Sequence, residues 1–109
     1  MKNKVVVITG GSSGIGFALA ERFGRSGSKV LITGRNAIEL NKAAEVLQAK
    51  GLTVAAFRAD VSKEEDNKAM AGEAIRLYGT IDILINNAGI SMRALFTEVD
   101  MDVVKSVMD

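Results

Sequence analysis

The chain has 109 residues, 48% of them apolar and 25% charged, a composition that predicts one ordinary globular domain spanning 1–109. With 14 Lys and Arg against 13 Asp and Glu, the net charge of +1 gives no electrostatic footprint for nucleic acid or an anionic membrane. The absence of cysteine and histidine excludes a disulfide framework and a thiolate or imidazole metal site, so no metal ligand is assigned.

The charge is unevenly distributed. Residues 1–50 carry eight basic and three acidic groups, and residues 51–109 carry six and ten. The basic half suits an anionic ligand, although solvated surface charge explains the imbalance equally well. The opening "MKNKVVVI" stops being apolar at Thr9, too early for a signal peptide, and nothing approaches the length of a membrane span. The expected location is cytoplasmic.

The first strand is predicted at Val5–Ile8. It runs straight into "TGGSSGIG" (residues 9–16), and a helix grows out of that loop with Ile15, Leu19 and Phe23 facing inward and Gly24 and Gly27 near its close. A second strand follows at Lys29–Thr33. Asn36 and Glu39 then have the spacing of a capping box, Leu40, Ala43, Ala44 and Leu47 form one stripe, and Gly51 stands where a helix ends. The third strand is predicted at Thr53–Phe57. The next helix repeats the pattern, with Ser62 and Glu65 at its start, Met70, Ala74, Leu77 and Tyr78 on one face, and Gly79 at its end. A fourth strand is predicted at Ile81–Ile85, and a further helix begins at Asp100 and is cut short at Asp109.

All four strand candidates are apolar along their length, as parallel strands buried on both faces are. Helix-length crossovers between them require parallel pairing, which gives a doubly wound α/β unit of three layers. At the glycine loop, a strand, a turn and a helix aim free amide groups and the positive helix end at one point, an arrangement suited to phosphate. Gly10 permits the turn, Gly14 and Gly16 clear space for a pyrophosphate and the sheet, and Ser12 and Ser13 offer hydroxyls. The alternative is a tight turn and nothing more. No Lys-Ser/Thr pair follows the last glycine, which excludes a P-loop.

"TGGSSGIG", "ADVS" (59–62) and "YGTIDILINNAG" (78–89) together resemble the short-chain dehydrogenase/reductase family. The T-G-x-x-x-G-x-G spacing is that of its classical branch. The resemblance covers the whole chain and implies the N-terminal, cofactor-binding half of a Rossmann-type domain, with strand order 3-2-1-4 and an end after the fourth strand. It implies an NAD(P)(H)-dependent oxidoreductase that moves hydride between nicotinamide and a carbonyl or alcohol substrate, a homo-oligomer when complete. Gly10, Gly11, Ser12, Ser13, Gly14, Ile15 and Gly16 would surround the pyrophosphate and ribose. Asp60 would accept from the adenine amino group beside the backbone of Val61, and Asn87, Ala88 and Gly89 would line the ribose side. Each has a plainer alternative: Asp60 as a turn residue, Asn86 or Asn87 as a holder of strand-end backbone groups.

The cofactor expectation is NADP(H) over NAD(H). An NAD site places an acid about 20 residues past the glycines, whereas here the second strand ends Thr33-Gly34-Arg35-Asn36, with no carboxylate before Glu39. Arg35 can clamp a 2′-phosphate. Against this, Ser13 stands where many NADP-using relatives have a basic residue. The family's catalytic Tyr-x-x-x-Lys is missing: Tyr78 is the only tyrosine, position 82 is Asp, and Met101 stands four residues before Lys105. No catalytic residue is therefore assigned, and the 109 residues alone are expected to be inactive. A nucleotide-sensing module or an inactive fragment remains the other reading. "SMRALF" (91–96) is the one stretch that could touch a substrate.

Overall fold

The computed structural model describes residues 3–12 and 14–87. Four strands, β1 (Val5–Thr9), β2 (Lys29–Gly34), β3 (Val54–Arg58) and β4 (Ile83–Asn86), alternate with three helices, α1 (Gly14–Arg25), α2 (Ala37–Ala49) and α3 (Glu64–Tyr78). All pairings are parallel and the sheet order is β3-β2-β1-β4. The expected doubly wound topology is therefore present in the described residues.

Helices cover both faces, which explains why the strands are not alternating in hydrophobicity. On one face Val6, Ile8, Val30, Ile32, Ile83 and Ile85 pack with Ala20 of α1 and Leu40, Ala43, Ala44 and Leu47 of α2. On the other, Val7 and Leu31 pack with Met70 and Ala74 of α3, and Tyr78 borders that cluster. All four strands extend one residue beyond the predicted run, to Thr9, Gly34, Arg58 and Asn86, because sheet register continues past the last residue that needs burial. The fourth strand also starts later than expected. Asp82, ahead of it, instead binds the start of β1: its carboxylate accepts from the Val5 amide at 2.8 Å and its own amide donates to the Val5 carbonyl at 2.9 Å.

Three helix expectations need correction. In α1 the fully buried residues are Gly16, Ala20 and Gly24, while Leu19 and Phe23 only flank the core. This small-residue row lets α1 lie close to its neighbours; a Cβ on Gly24 would come 3.1 Å from Leu52. In α3 the cap is Lys63, without a side-chain hydrogen bond, and not Ser62. The Ser62 hydroxyl is committed to Asp60 at 2.7 Å, so it is not available to the helix. Leu77, expected on the inner face, is 39% exposed. By contrast, Asn36 does cap α2, accepting from the Glu39 amide at 3.1 Å, and Gly79 closes α3 in a left-handed conformation.

Candidate dinucleotide site

The carboxyl ends of the four strands face one open cleft of about 800 Å³. Its walls come from the β1 end and the glycine loop (Thr9, Gly10, Ser12), the β2 end (Thr33 to Asn36, with Glu39), and the β3–α3 turn (Ala59 to Ser62). Asn67 and Met70 of α3, with Leu84 and Asn86 of β4, complete it. Parallel α/β sheets place ligands here, beyond the strand ends where the order reverses between β1 and β4.

The glycine loop is fixed by its own backbone contacts. Gly10 has φ of +69°, which a side chain would disfavour, and the Gly11 amide donates to the Thr33 carbonyl at 3.1 Å. A Cβ on Gly11 would stand 2.7 Å from Ile32, so that glycine permits the loop to cross β2. The close approach at Gly16 is to the loop itself and not to the sheet: a Cβ there would collide with the Gly10 carbonyl and come 2.8 Å from Asn87 Nδ2. A Cβ on Gly14 would meet nothing within 4 Å among the described residues, and its φ of +60° is what favours glycine. Gly14 borders a shallower groove between α1 and α2, which it shares with Ser12, Phe17 and Lys42. Ile15 is half-buried in the first turn of α1, and Ser13, Ala88, Gly89, residues 91–96 and the helix expected from Asp100 lie outside the described residues.

Asn87 takes the plainer of its two roles, donating from Nδ2 to the Gly10 carbonyl at 3.1 Å and so holding the glycine loop. Asn86 accepts from the Thr9 hydroxyl at 3.1 Å. Asp60 Oδ1 accepts from both the hydroxyl and the amide of Ser62, at 2.7 and 3.0 Å, in an Asx-type turn. The Ser62 hydroxyl first, then the Ser62 amide, hold the Asp60 carboxyl below the usual carboxylate range against a small burial effect; Arg35 and Lys63 add to this. The turn leaves Asp60 Oδ2 without a hydrogen bond among the described residues, on a group that is ionised and can only accept. Val61 lies beside it in the cleft wall, its carbonyl accepting from Asn67 Nδ2 at 2.9 Å.

Arg35 is exposed at the β2 end and borders the cleft, close enough to Asp60 to lower its pKa. Thr33, fully buried beneath it, has a hydroxyl with no hydrogen-bond partner among the described residues. A buried polar group left unpaired in this way costs stability unless a further group meets it. The glycine cradle, the orphaned hydroxyl and the cleft size all fit a dinucleotide.

Tyr78 and Asp82 are at the opposite end of the sheet. The Tyr78 hydroxyl donates to the Val30 carbonyl at 3.1 Å, near the start of β2, and burial raises its pKa. Neither residue borders the cleft. The residues missed by sequence reasoning are Thr33, whose burial no motif announces, and Arg58 and Asp66, which interact with the cleft walls from behind. No metal-binding cluster and no helix long and apolar enough to cross a membrane occurs among the described residues.

The sequence pattern of short chain dehydrogenases matches residues 4–109. Dehydrogenase/reductase SDR family member 4 of Homo sapiens is 36% identical over all 109 residues, which correspond to 38% of that protein. The chain thus spans well under half the length of this curated relative. Among solved structures, a variant of actinorhodin polyketide ketoreductase with NADPH superposes with a TM-score of 0.77 and 30% identity, over 94% of this chain and 41% of the other. A short chain dehydrogenase/reductase from Burkholderia phymatum in complex with NAD gives 0.75 and 34%, over 76% and 30%.

Proposed function

This chain belongs to the short-chain dehydrogenase family, and from that premise we propose that it forms the cofactor-binding part of an oxidoreductase that prefers NADP(H). Bound nicotinamide would supply the hydride exchanged with a carbonyl or alcohol substrate. The chain's own residues bind and orient. The loop from Gly10 to Gly16 takes the pyrophosphate at the start of α1, where amide groups and the helix dipole favour negative charge. Asp60, ionised and with Oδ2 open, accepts from the adenine amino group, and Asn87 keeps the loop in shape.

The observation that carries the NADP(H) preference is Arg35 at the end of β2, bordering the cleft, with no carboxylate at that strand end. Its fork of donors matches a 2′-phosphate. Related proteins are described with either cofactor, so family membership alone does not decide between them. The test is titration of NADPH and NADH into the protein expressed over its whole open reading frame. NADPH should bind more tightly, and Arg35→Asp should reverse the order through loss of charge-assisted hydrogen bonds worth about 1.5–3 kcal/mol. Equal affinities in the unmodified protein would sink the preference.

A further inference from the structure

We propose that Arg58 is a positioning residue for the dinucleotide: its guanidinium braces the two walls of the cleft, the Arg35 end of β2 and the Asp60 turn after β3. The proposal rests on the reading that these two walls receive the adenosine part of the cofactor.

Arg58 is the last residue of β3 and pairs in register with Gly34 of β2. Its Nε donates to the Arg35 carbonyl at 3.2 Å. Its Nη1 lies 3.7 Å from Asp66 Oδ2, and that same oxygen accepts the Asp60 amide at 2.8 Å. One guanidinium and one carboxylate oxygen thus connect the backbone of Arg35 to the backbone of Asp60. Arg58 does not border the cleft itself, whereas Arg35 and Asp60 both do, so its influence on a ligand passes through them.

The geometry asks for arginine. One edge of the rigid plane donates to a carbonyl while another keeps its charge beside a carboxylate, which the single point charge of lysine cannot do from one position. The side chain of Arg58 is 53% exposed, and an ion pair that open to water adds little to global stability. Alignment of the two walls is the effect left for it to have.

The test uses the whole-length protein, with NADPH and NADH as titrants. Arg58→Met should weaken both cofactors about fivefold, the scale of one aligned hydrogen bond, with the urea midpoint of unfolding unchanged. Asp66→Ala should weaken them by a similar factor and also lower the midpoint, because it removes the acceptor of the Asp60 amide. Arg58→Lys should remain weakened. Asp66→Asn, which keeps an oxygen for the Asp60 amide, should recover most of the loss seen in Asp66→Ala. The double variant Arg58→Met/Asp66→Ala should lose no more than the worse single, because both break one connection. Unchanged affinities, fully additive losses, or a loss in Arg58→Met that tracks a falling urea midpoint would each overturn the brace. So would a loss confined to NADPH in Arg58→Met with Asp66→Ala silent, since that marks direct contact with phosphate. Failure of the 2′-phosphate reading is separable: it shows as an Arg35→Asp variant with an unaltered NADPH to NADH ratio, while the brace is still judged on NADH.

Discussion

Gly16 lies against the Gly10 carbonyl, the same oxygen that accepts from Asn87. One added methyl therefore acts on three residues: it displaces the Gly10 peptide, breaks the hydrogen bond from Asn87, and moves the amide groups at the head of α1. Overpacking against backbone commonly costs about 1–3 kcal/mol, more than the same change against a flexible side chain. Gly16→Ala should accordingly lower the urea midpoint and weaken NADPH and NADH alike, since the pyrophosphate is common to both. Urea denaturation beside cofactor titration measures both effects; a variant that binds normally would show that the loop tolerates displacement. The spacing of Gly10, Gly14 and Gly16 was legible in the sequence, but what each glycine touches was not. That an added Cβ meets the Gly10 carbonyl at Gly16, and no described residue at Gly14, depends on where that carbonyl points after the turn. Asp60 and Asn87 likewise had two readings each: Asp60 forms its turn with the nearby Ser62 and Asn87 holds the distant Gly10 carbonyl, while Asp60 still borders the cleft.

At the scale of elements, α3 has an internal weakness that bears on no ligand. Gly72 is exposed in the middle of the helix, and a Cβ there would meet nothing within 4 Å among the described residues. Glycine in a helix interior is worse than alanine by roughly 0.8–1 kcal/mol, because it has more backbone freedom to lose. Gly72→Ala should raise the urea midpoint by about that amount of stability with cofactor affinity unchanged; a destabilised variant would mean that another part of the protein packs on this face. The strands could be read from sequence because burial on both faces leaves them apolar throughout, and α2 because its stripe and its Asn36 cap agree. The inner face of α1 was harder to read. Hydrophobicity selects Ile15, Leu19 and Phe23, yet close packing selected the small row Gly16, Ala20 and Gly24. Ser62 misled for a related reason, since a hydroxyl before a helix can serve the turn or the cap and Asp60 claimed it. The Arg58–Asp66 connection had no signature at all: it depends on β2 and β3 ending side by side.

For the whole molecule, the consequence of the order β3-β2-β1-β4 lies at β4. Among the described residues this strand has one sheet neighbour, β1, yet Ile83 and Ile85 are fully buried and Leu84 is half-buried. A parallel strand of this composition belongs inside a sheet, covered on both faces. Among the described residues, α1 and α2 lie on one face and α3 alone on the other. Residues 1–109 expressed by themselves should therefore self-associate through the open N–H and C=O groups of β4, because an apolar edge is a template for another strand. A charge on that edge opposes such pairing, so Leu84→Lys should shift the population toward smaller species even if it does not make the fragment more stable. The fragment should also show no carbonyl-dependent NADPH oxidation, given that its one tyrosine donates to Val30 at the far end of the sheet. Size-exclusion chromatography with circular dichroism, beside an NADPH oxidation assay, measures these outcomes. A compact monomer with a cooperative transition would show that β4 is adequately covered within the 109 residues, and turnover would place the proton chemistry on a residue other than Tyr78.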